Sequence, residues 1–309
     1  MKTLSINVKI FLVWILLLAI FFAIFLDSLA KATSETVVKV EPQTSFAQIG
    51  ETFDVNITVN NVQNLYGVEL TFYWNASILE LIAADAQLGV DEHPAGVLHN
   101  PISIYKNESS QKQGKLIIAG SSVSPAPSFN GSGIIAKITF KVTHVGSCEL
   151  IIEAQLASNI IPPGSTSVAP IAYTPLDGFY YPIEITAFPK NVNLYENISI
   201  TGRVALAQPD IPVTVLYRKI GENEWHTLET VSTDEHGNYS CIWTPEKSGE
   251  YYVKSTAILS GSKETSNMIS VEVNEIGEQS WWYVEITAAV VIVGVIVALL
   301  LIYKRRIRR

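Results

Sequence analysis

The sequence predicts an all-β protein: two β-sandwiches in tandem, followed by one C-terminal helix that crosses lipid. Three observations carry this. Short runs between Val37 and Val273 alternate apolar and polar side chains, the period of strands with one face in a core. Clusters of Gly, Pro and Asn punctuate those runs. An almost unbroken apolar stretch, Ile286–Ile302, is followed at once by basic residues.

From the N-terminus, Lys2 and Lys9 precede the apolar run Ile10–Leu26, and Asp27, Ser28 and the patch Ala30-Lys31-Ala32 follow. That is the layout of a secretory signal over 1–32. The run is near the lower limit for a membrane span, so an uncleaved anchor is the alternative. Val37–Val40 reads as a short edge strand ended by Glu41-Pro42. Phe53, Val55, Ile57 and Val59 then alternate with polar residues, and Asn60–Asn64 reads as a polar turn. Val68, Leu70, Phe72 and Trp74 give the next strand its buried side, Asn75-Ala76-Ser77 closes it, and Ile78–Ile82 opens another. Ala83 to Gly114 is rich in loop signals, with only Ile102–Tyr105 strand-like; loops this long carry function or disorder. Leu116–Ala119 is a buried strand, Ser121–Gly133 a long turn, Ile134–Val142 and Cys148–Ala154 strands, and Pro170–Pro175 irregular. Asp177–Tyr181 closes the first sandwich, with the boundary at Tyr181-Pro182.

The order GETF, an alternating strand, NV…NLYG, an aromatic strand ending Tyr73-Trp74-Asn75, and ILEL resembles the first third of a cohesin module. The resemblance continues through Ser128–Val142 and Gly146–Ile152 and spans about half of the chain, giving a cohesin-like domain over 36–182. It implies a nine-stranded jelly-roll sandwich, related to cellulose-binding modules, that offers a flat sheet face to a dockerin module. A dockerin's own fold holds calcium, so the resemblance implies no cofactor here except Ca2+ brought by such a partner. Carried over residue by residue, the outward face of the Tyr66–Trp74 strand presents Gly67, Glu69, Thr71 and Tyr73. Glu69 falls where the family often has a partner-contacting Asp, and Gly67 where it often has Asn. Lys115 and Ser121 flank the neighbouring strand. Tyr73 is the first residue to mutate, because exposed aromatics are enriched among binding hot spots.

Residues 183–275 form the second sandwich, with strands at Ile183–Phe188, Ile198–Val204, Val213–Lys219, Trp225–Val231, Tyr239–Trp243, Tyr251–Ala257 and Met268–Val273. Seven short strands in about ninety residues suggest an immunoglobulin-like domain, with Tyr251 or Tyr252 as a tyrosine corner. The run DEHGNYSCIWTPEKSGEYYVKSTA resembles Ig-like repeats beside adhesive modules on prokaryotic surface proteins, which are usually stalks.

Trp281–Tyr283 read as an aromatic belt for a transmembrane helix over 281–303. The basic tail 304–309 places the C-terminus in the cytoplasm and the two sandwiches outside, on a single-pass cell-surface protein. Between Thr33 and Ser280 there are thirteen basic and twenty-seven acidic residues, a net −14. That balance argues against nucleic acid and other polyanions as partners.

Asn-x-Ser/Thr acceptors for glycans occur at Asn56, Asn75, Asn107, Asn130, Asn197 and Asn238, where chance would supply about two or three. Their strand parity or turn position predicts exposure. Cys148 and Cys241 share parity with core residues of different domains and read as buried thiols without a bridge. His93, His99, His144, His226 and His236 are scattered, with no zinc spacing, and Ser121–Ser128 lacks a G-x-S-x-G elbow. Asp85, Asp91, Glu92 and His93 lie in one loop that matches no EF-hand and reads as a solvated acidic loop. Metal ligands and catalytic residues are therefore both read as none, and the chain as a binding protein and not an enzyme. Its partner would be a dockerin-like protein or a polysaccharide, with the Ig-like domain as spacer. The alternative is a structural component of a glycosylated surface coat.

Overall fold

The structure is a computed structural model and describes residues 35–275. The signal segment 1–32 lies outside the described residues, as do the expected span 281–303 and the tail 304–309. Among the described residues no helix is long and apolar enough to cross a membrane. The chain divides into two compact units between Tyr180 and Tyr181.

The first unit contains β1 (Val37–Glu41), β2 (Thr44–Ser45), β3 (Thr52–Asn75), β4 (Leu79–Ala86), β5 (Pro101–Asn107) and β6 (Gln113–Ser122). It continues with β7 (Phe129–Val142), β8 (Cys148–Ser158), β9 (Pro170–Ile171), β10 (Thr174–Leu176) and β11 (Gly178–Tyr180). A straight strand as long as β3 would extend about 80 Å, so the strand has to turn the corner of the sandwich. Its first half pairs with β1 and β7, and its second half with β6 and β8. One sheet thus runs β10-β1-β3-β7-β4, and the other β5-β6-β3-β8, with β9 and β11 against β8 and β2 against β11. Val55, Ile57 and Val59 from the first half and Leu70, Phe72 and Trp74 from the second meet in one buried core.

Aromatic residues fill that core. Trp74 stands edge-on to Phe140 at 5.2 Å between centroids, and Phe53 stacks on Tyr180 at 5.5 Å. Each buried polar tip has a partner: Trp74 Nε1 donates to the Leu79 carbonyl at 3.0 Å, and the Tyr180 hydroxyl to that of Ala47 at 3.0 Å. Such rings bury enough apolar surface to contribute about 1.5–3 kcal/mol each.

The second unit contains β12 (Ile183–Phe188), β13 (Asn191–Asn193), β14 (Ile198–Val204), β15 (Pro212–Lys219) and β16 (His226–Ser232). It ends with β17 (Asn238–Trp243), β18 (Gly249–Leu259), β19 (Ser262–Thr265) and β20 (Ile269–Asn274). One sheet is β12-β14-β17; the other is β13-β20-β18-β15-β16, with β19 folded onto β18. Val213, Val215, Val253 and Val271 of the larger sheet and Ile185, Ile198 and Ile200 of the smaller are buried. Trp243 stands perpendicular to Tyr251 at 5.2 Å. The Tyr251 hydroxyl donates to the Lys247 carbonyl at 2.7 Å, whereas Tyr252 faces the other way and is half-exposed.

Five local readings of the sequence are corrected. Asn60–Asn64 is not a turn between two strands but a bend within β3. Asn61 and Asn64 both adopt φ 57°, the left-handed region that Asn tolerates, and Val62 between them stays buried. Their backbone N–H groups are taken by Ser132 Oγ at 3.0 Å and Asn130 Oδ1 at 2.8 Å. Val37–Val40, the main part of β1, is not an edge strand, because β10 pairs with it in parallel. Pro175 hid β10 from the sequence, since a strand with Pro belongs at an outer edge. The strand opened at Ile78–Ile82 runs on to Ala86, with an irregularity between Leu81 and Ala83 that leaves Ile82 exposed and breaks the period of two. The loop after it is packed, with Leu88, Val97 and Leu98 fully in the core. Ser121–Gly133 is only partly a turn, because β7 begins at Phe129.

Trp74 lies directly opposite Gly114, where a Cβ would come within 1.9 Å of the indole Cε2. Gly114→Ala is expected to lower the stability of the first unit by about 1–3 kcal/mol through overpacking, read as a lower denaturation midpoint with unchanged slope.

Candidate partner-binding face

The residues nominated on the Tyr66–Trp74 strand fall in the second half of β3, between β6 and β8. Period-two alternation sends Leu70, Phe72 and Trp74 inward and Gly67, Glu69, Thr71 and Tyr73 outward. The ladder with β6 sets Tyr73 opposite Lys115 and Gly67 opposite Ser121, so all six nominated residues share one outward face. Glu69 and Ser121 are exposed, and the other four are half-buried by their neighbours.

Across β5, β6, β3 and β8 the rows are in register. One reads Ile104, Ala119, Glu69, Gln155, and the next Lys106, Ile117, Thr71, Glu153. A third holds Lys115, Tyr73 and Ile151. Ile102 and Ile104 are 69% and 66% exposed, and Ile151 is exposed at the far side. Large exposed apolar residues thus lie in rows on the outer face of the sheet, flanked by charge.

The charges are ordered. The Tyr73 hydroxyl donates to Glu153 Oε2 at 3.3 Å. Lys115 Nζ pairs with Glu108 Oε2 at 2.7 Å, and Lys106 pairs with the other oxygen of the same carboxylate. Hydrogen bonds from Lys106 and then Lys115 lower the Glu108 pKa to about 2, and Glu108 in turn raises that of Lys115. At the end of the face a shallow hollow of about 470 Å³ opens beside Tyr73, lined by Asn75, Gln113, Cys148 and Ile151 among others.

Sequence reasoning missed Ile102, Ile104, Ile117, Ile151 and Glu153. The signal was present for two of them: Ile117 and Ile151 sit on the polar parity of strands whose core parity is already apolar. An aliphatic residue there has no core to enter.

The acidic loop does not come together as a site. Asp85 is on β4 and accepts a bond from Gln87 Nε2 at 3.0 Å, while Asp91 accepts from the Asn100 backbone N–H at 3.4 Å. Among the described residues no group of three or more His, Cys, Asp or Glu side chains could hold a metal. Cys148 and Cys241 are buried free thiols. Desolvation pushes each up to about 11, so both thiols are protonated at neutral pH.

The six asparagines of the Asn-x-Ser/Thr sequences differ in their hydrogen bonds. Asn56 is half-buried on β3, and the other five are exposed. Asn75, Asn107, Asn130 and Asn197 each accept a bond at Oδ1, from Ser77, Ser109, Asn64 and Thr244 respectively, which turns Nδ2 outward. Asn238 instead donates its Nδ2 to Asp234 Oδ2 at 2.9 Å. Where the transferase acts on the folded chain, glycopeptide mass spectrometry should find Asn238 less occupied than Asn75 and Asn107. Asp234→Ala should raise its occupancy.

The candidate face is thus the outer surface of β5, β6, β3 and β8, on a sandwich whose two sheets share one bent strand. Residues 38–186 match the family model of the cohesin domain, and this module belongs to that family. Similar solved structures include a non-cellulosomal cohesin from the hyperthermophilic archaeon Archaeoglobus fulgidus, 15% identical, covering 48% of this chain and 90% of that one, with a TM-score of 0.35. The seventh ScaB type I cohesin from Pseudobacteroides cellulosolvens is 20% identical over 47% of this chain and 90% of that one, TM-score 0.35. A type I cohesin–dockerin complex from Clostridium thermocellum gives 12% identity over 48% of this chain and 98% of that one, TM-score 0.37. No curated protein matches the chain.

Because Glu108 is held by two lysines, its carboxylate is expected to titrate near pH 2, well below the ordinary 4.5. The sign follows: the cluster is intact above the ordinary carboxylate range and is lost as pH falls towards 2. Carbon-detected NMR of the Glu108 carboxyl checks this, and Lys106→Gln should move the midpoint back towards 4.5.

Proposed function

We propose that the cohesin module captures a dockerin-type protein through the outward face of β5, β6, β3 and β8. The observation that carries this reading is the register that puts Tyr73, Glu69, Ile104 and Lys115 on one flat surface of a cohesin-family domain. Exposed Ile102, Ile104 and Ile151 supply apolar contact area, and Glu69, Glu153 and Lys106 supply orientation. Calcium enters only with the partner, and the module itself catalyses nothing.

The second unit serves as an Ig-like spacer. Its strand order, three strands against a larger sheet that ends in a hairpin extension, supports the assignment. So does Tyr251, whose hydroxyl reaches back four residues to Lys247 as a tyrosine corner does. The basic tail after a long apolar run supports display of both units outside the cell on a single membrane helix.

Tyr73→Ala with Glu69→Ala should weaken capture of a dockerin-bearing partner from the host's secreted proteins by at least tenfold. Thermal stability should be unchanged, since both side chains project from the outer face. Capture should fail in chelator. Full retention of the partner by the double variant would move the binding surface elsewhere. Self-association of the protein without any partner would favour a coat component.

A further inference from the structure

The second unit carries a cationic cluster that the spacer role does not use. Arg218 on β15 and Lys254 on β18 project from the outer face of the larger sheet on adjacent strands, diagonally across the register pairs Arg218–Tyr252 and Leu216–Lys254. Both converge on Trp225, which stands just before β16. The Arg218 Cζ lies 4.8 Å and the Lys254 Nζ 4.1 Å from the Trp225 ring centroid, and Arg218 also lies 5.9 Å from that of Tyr252.

One cation over an indole is a stable arrangement by itself. A second cation of the same sign brings repulsion that the ring does not cancel, whereas opposite charges on neighbouring strands would stabilise one another. Here no carboxylate answers. Neither Arg218 nor Lys254 forms an ion pair among the described residues. Glu224, which precedes Trp225 in the chain, forms no ion pair among the described residues, and Glu250 and Glu272 lie opposite one another beyond the Tyr252–Ser270 pair. Arg218 Nε is buried and has no hydrogen-bond partner. Burial, then Arg218 and Lys263, hold the Lys254 pKa below that of an ordinary lysine. In a region with twenty-seven acids against thirteen bases, two unpaired cations on one ring form a local exception.

We propose that Arg218, Lys254 and Trp225 form a binding site for a single oxyanion group, a carboxylate or a phosphate, carried on a small polar molecule such as a sugar acid. An oxyanion placed between the two heads accepts charge-assisted hydrogen bonds from both and removes their mutual repulsion. The −14 of the surrounding region repels densely charged polymers at long range, but that field is screened within about 10 Å at ordinary salt. The site therefore remains open to an isolated anionic group despite the acidic surroundings.

The test titrates the full-length chain with glucuronate, glucose 6-phosphate and glucose, by calorimetry and by the indole N–H resonance of Trp225 assigned through Trp225→Phe. One-site binding of at least one acidic sugar, with a shift of the Trp225 resonance and none with glucose, is expected. The acid that binds identifies carboxylate or phosphate as the preferred group. Arg218→Gln with Lys254→Gln should weaken binding at least tenfold while leaving the melting temperature in place. Binding of neither acid, binding without a Trp225 shift, or equal binding by the double variant would overturn the proposal. The wild-type resonance locates the site even if that variant fails to fold.

Discussion

The first module depends on the continuity of β3. One strand supplies the centre of both sheets, so the two inner faces are covalently fixed against each other before any side chain packs. That works only if the strand bends sharply without opening the core. Asn61 and Asn64 provide the bend by adopting the left-handed conformation, while Val62 and Leu65 keep the corner apolar. Ser132 and Asn130 supply acceptors for the N–H groups the bend would leave unpaired. The rest follows by alternation. Once the bend fixes which residues of the second half face inward, the outward set is determined too.

This coupling explains why the core and the outer face of β3 and β6 are inseparable. Trp74 fills the interior only because Gly114 leaves room for it, and the same ladder places Lys115 beside Tyr73 on the outside. A slip of β6 by one residue would turn Lys115 into the core beneath Trp74's neighbours. Register is thus held by the core's demand for shape, and the face inherits a geometry its own weak polar contacts could not enforce. Exposed ion pairs such as Lys115–Glu108 orient the surface and add little stability.

Much of this was legible in the residues. The alternations Val55-Ile57-Val59 and Leu70-Phe72-Trp74 marked both halves of β3, and the seven strand cores of the second unit emerged within a few residues. What failed were the places where period two breaks for a tertiary reason. Asn60–Asn64 carries turn chemistry because a bend needs the same backbone conformations as a turn. The irregularity at Ile82 shifted parity, and Pro175 concealed a strand that needs few hydrogen bonds. Four face residues could be carried over along one strand, but Ile102 and Ile104 could not, because only the pairing of β5 with β6 brings them alongside. The cation cluster on Trp225 was invisible for the same reason: its three residues come from separate segments, aligned by the sheet.

The two modules use the outer faces of their sheets differently. In the first, apolar rows and mixed charge lie flat and open, suited to another protein. In the second, one aromatic ring gathers two unpaired cations, suited to a small anion. The central claim concerns the first, and hydroxyl-radical footprinting of the full-length chain with and without its captured partner tests it most directly. Protection of Tyr73, Ile102, Ile104 and Ile151, with unchanged labelling of the opposite sheet at Ile82, is the predicted result. Protection at Ile82 with Tyr73 and Ile104 still labelled would contradict it.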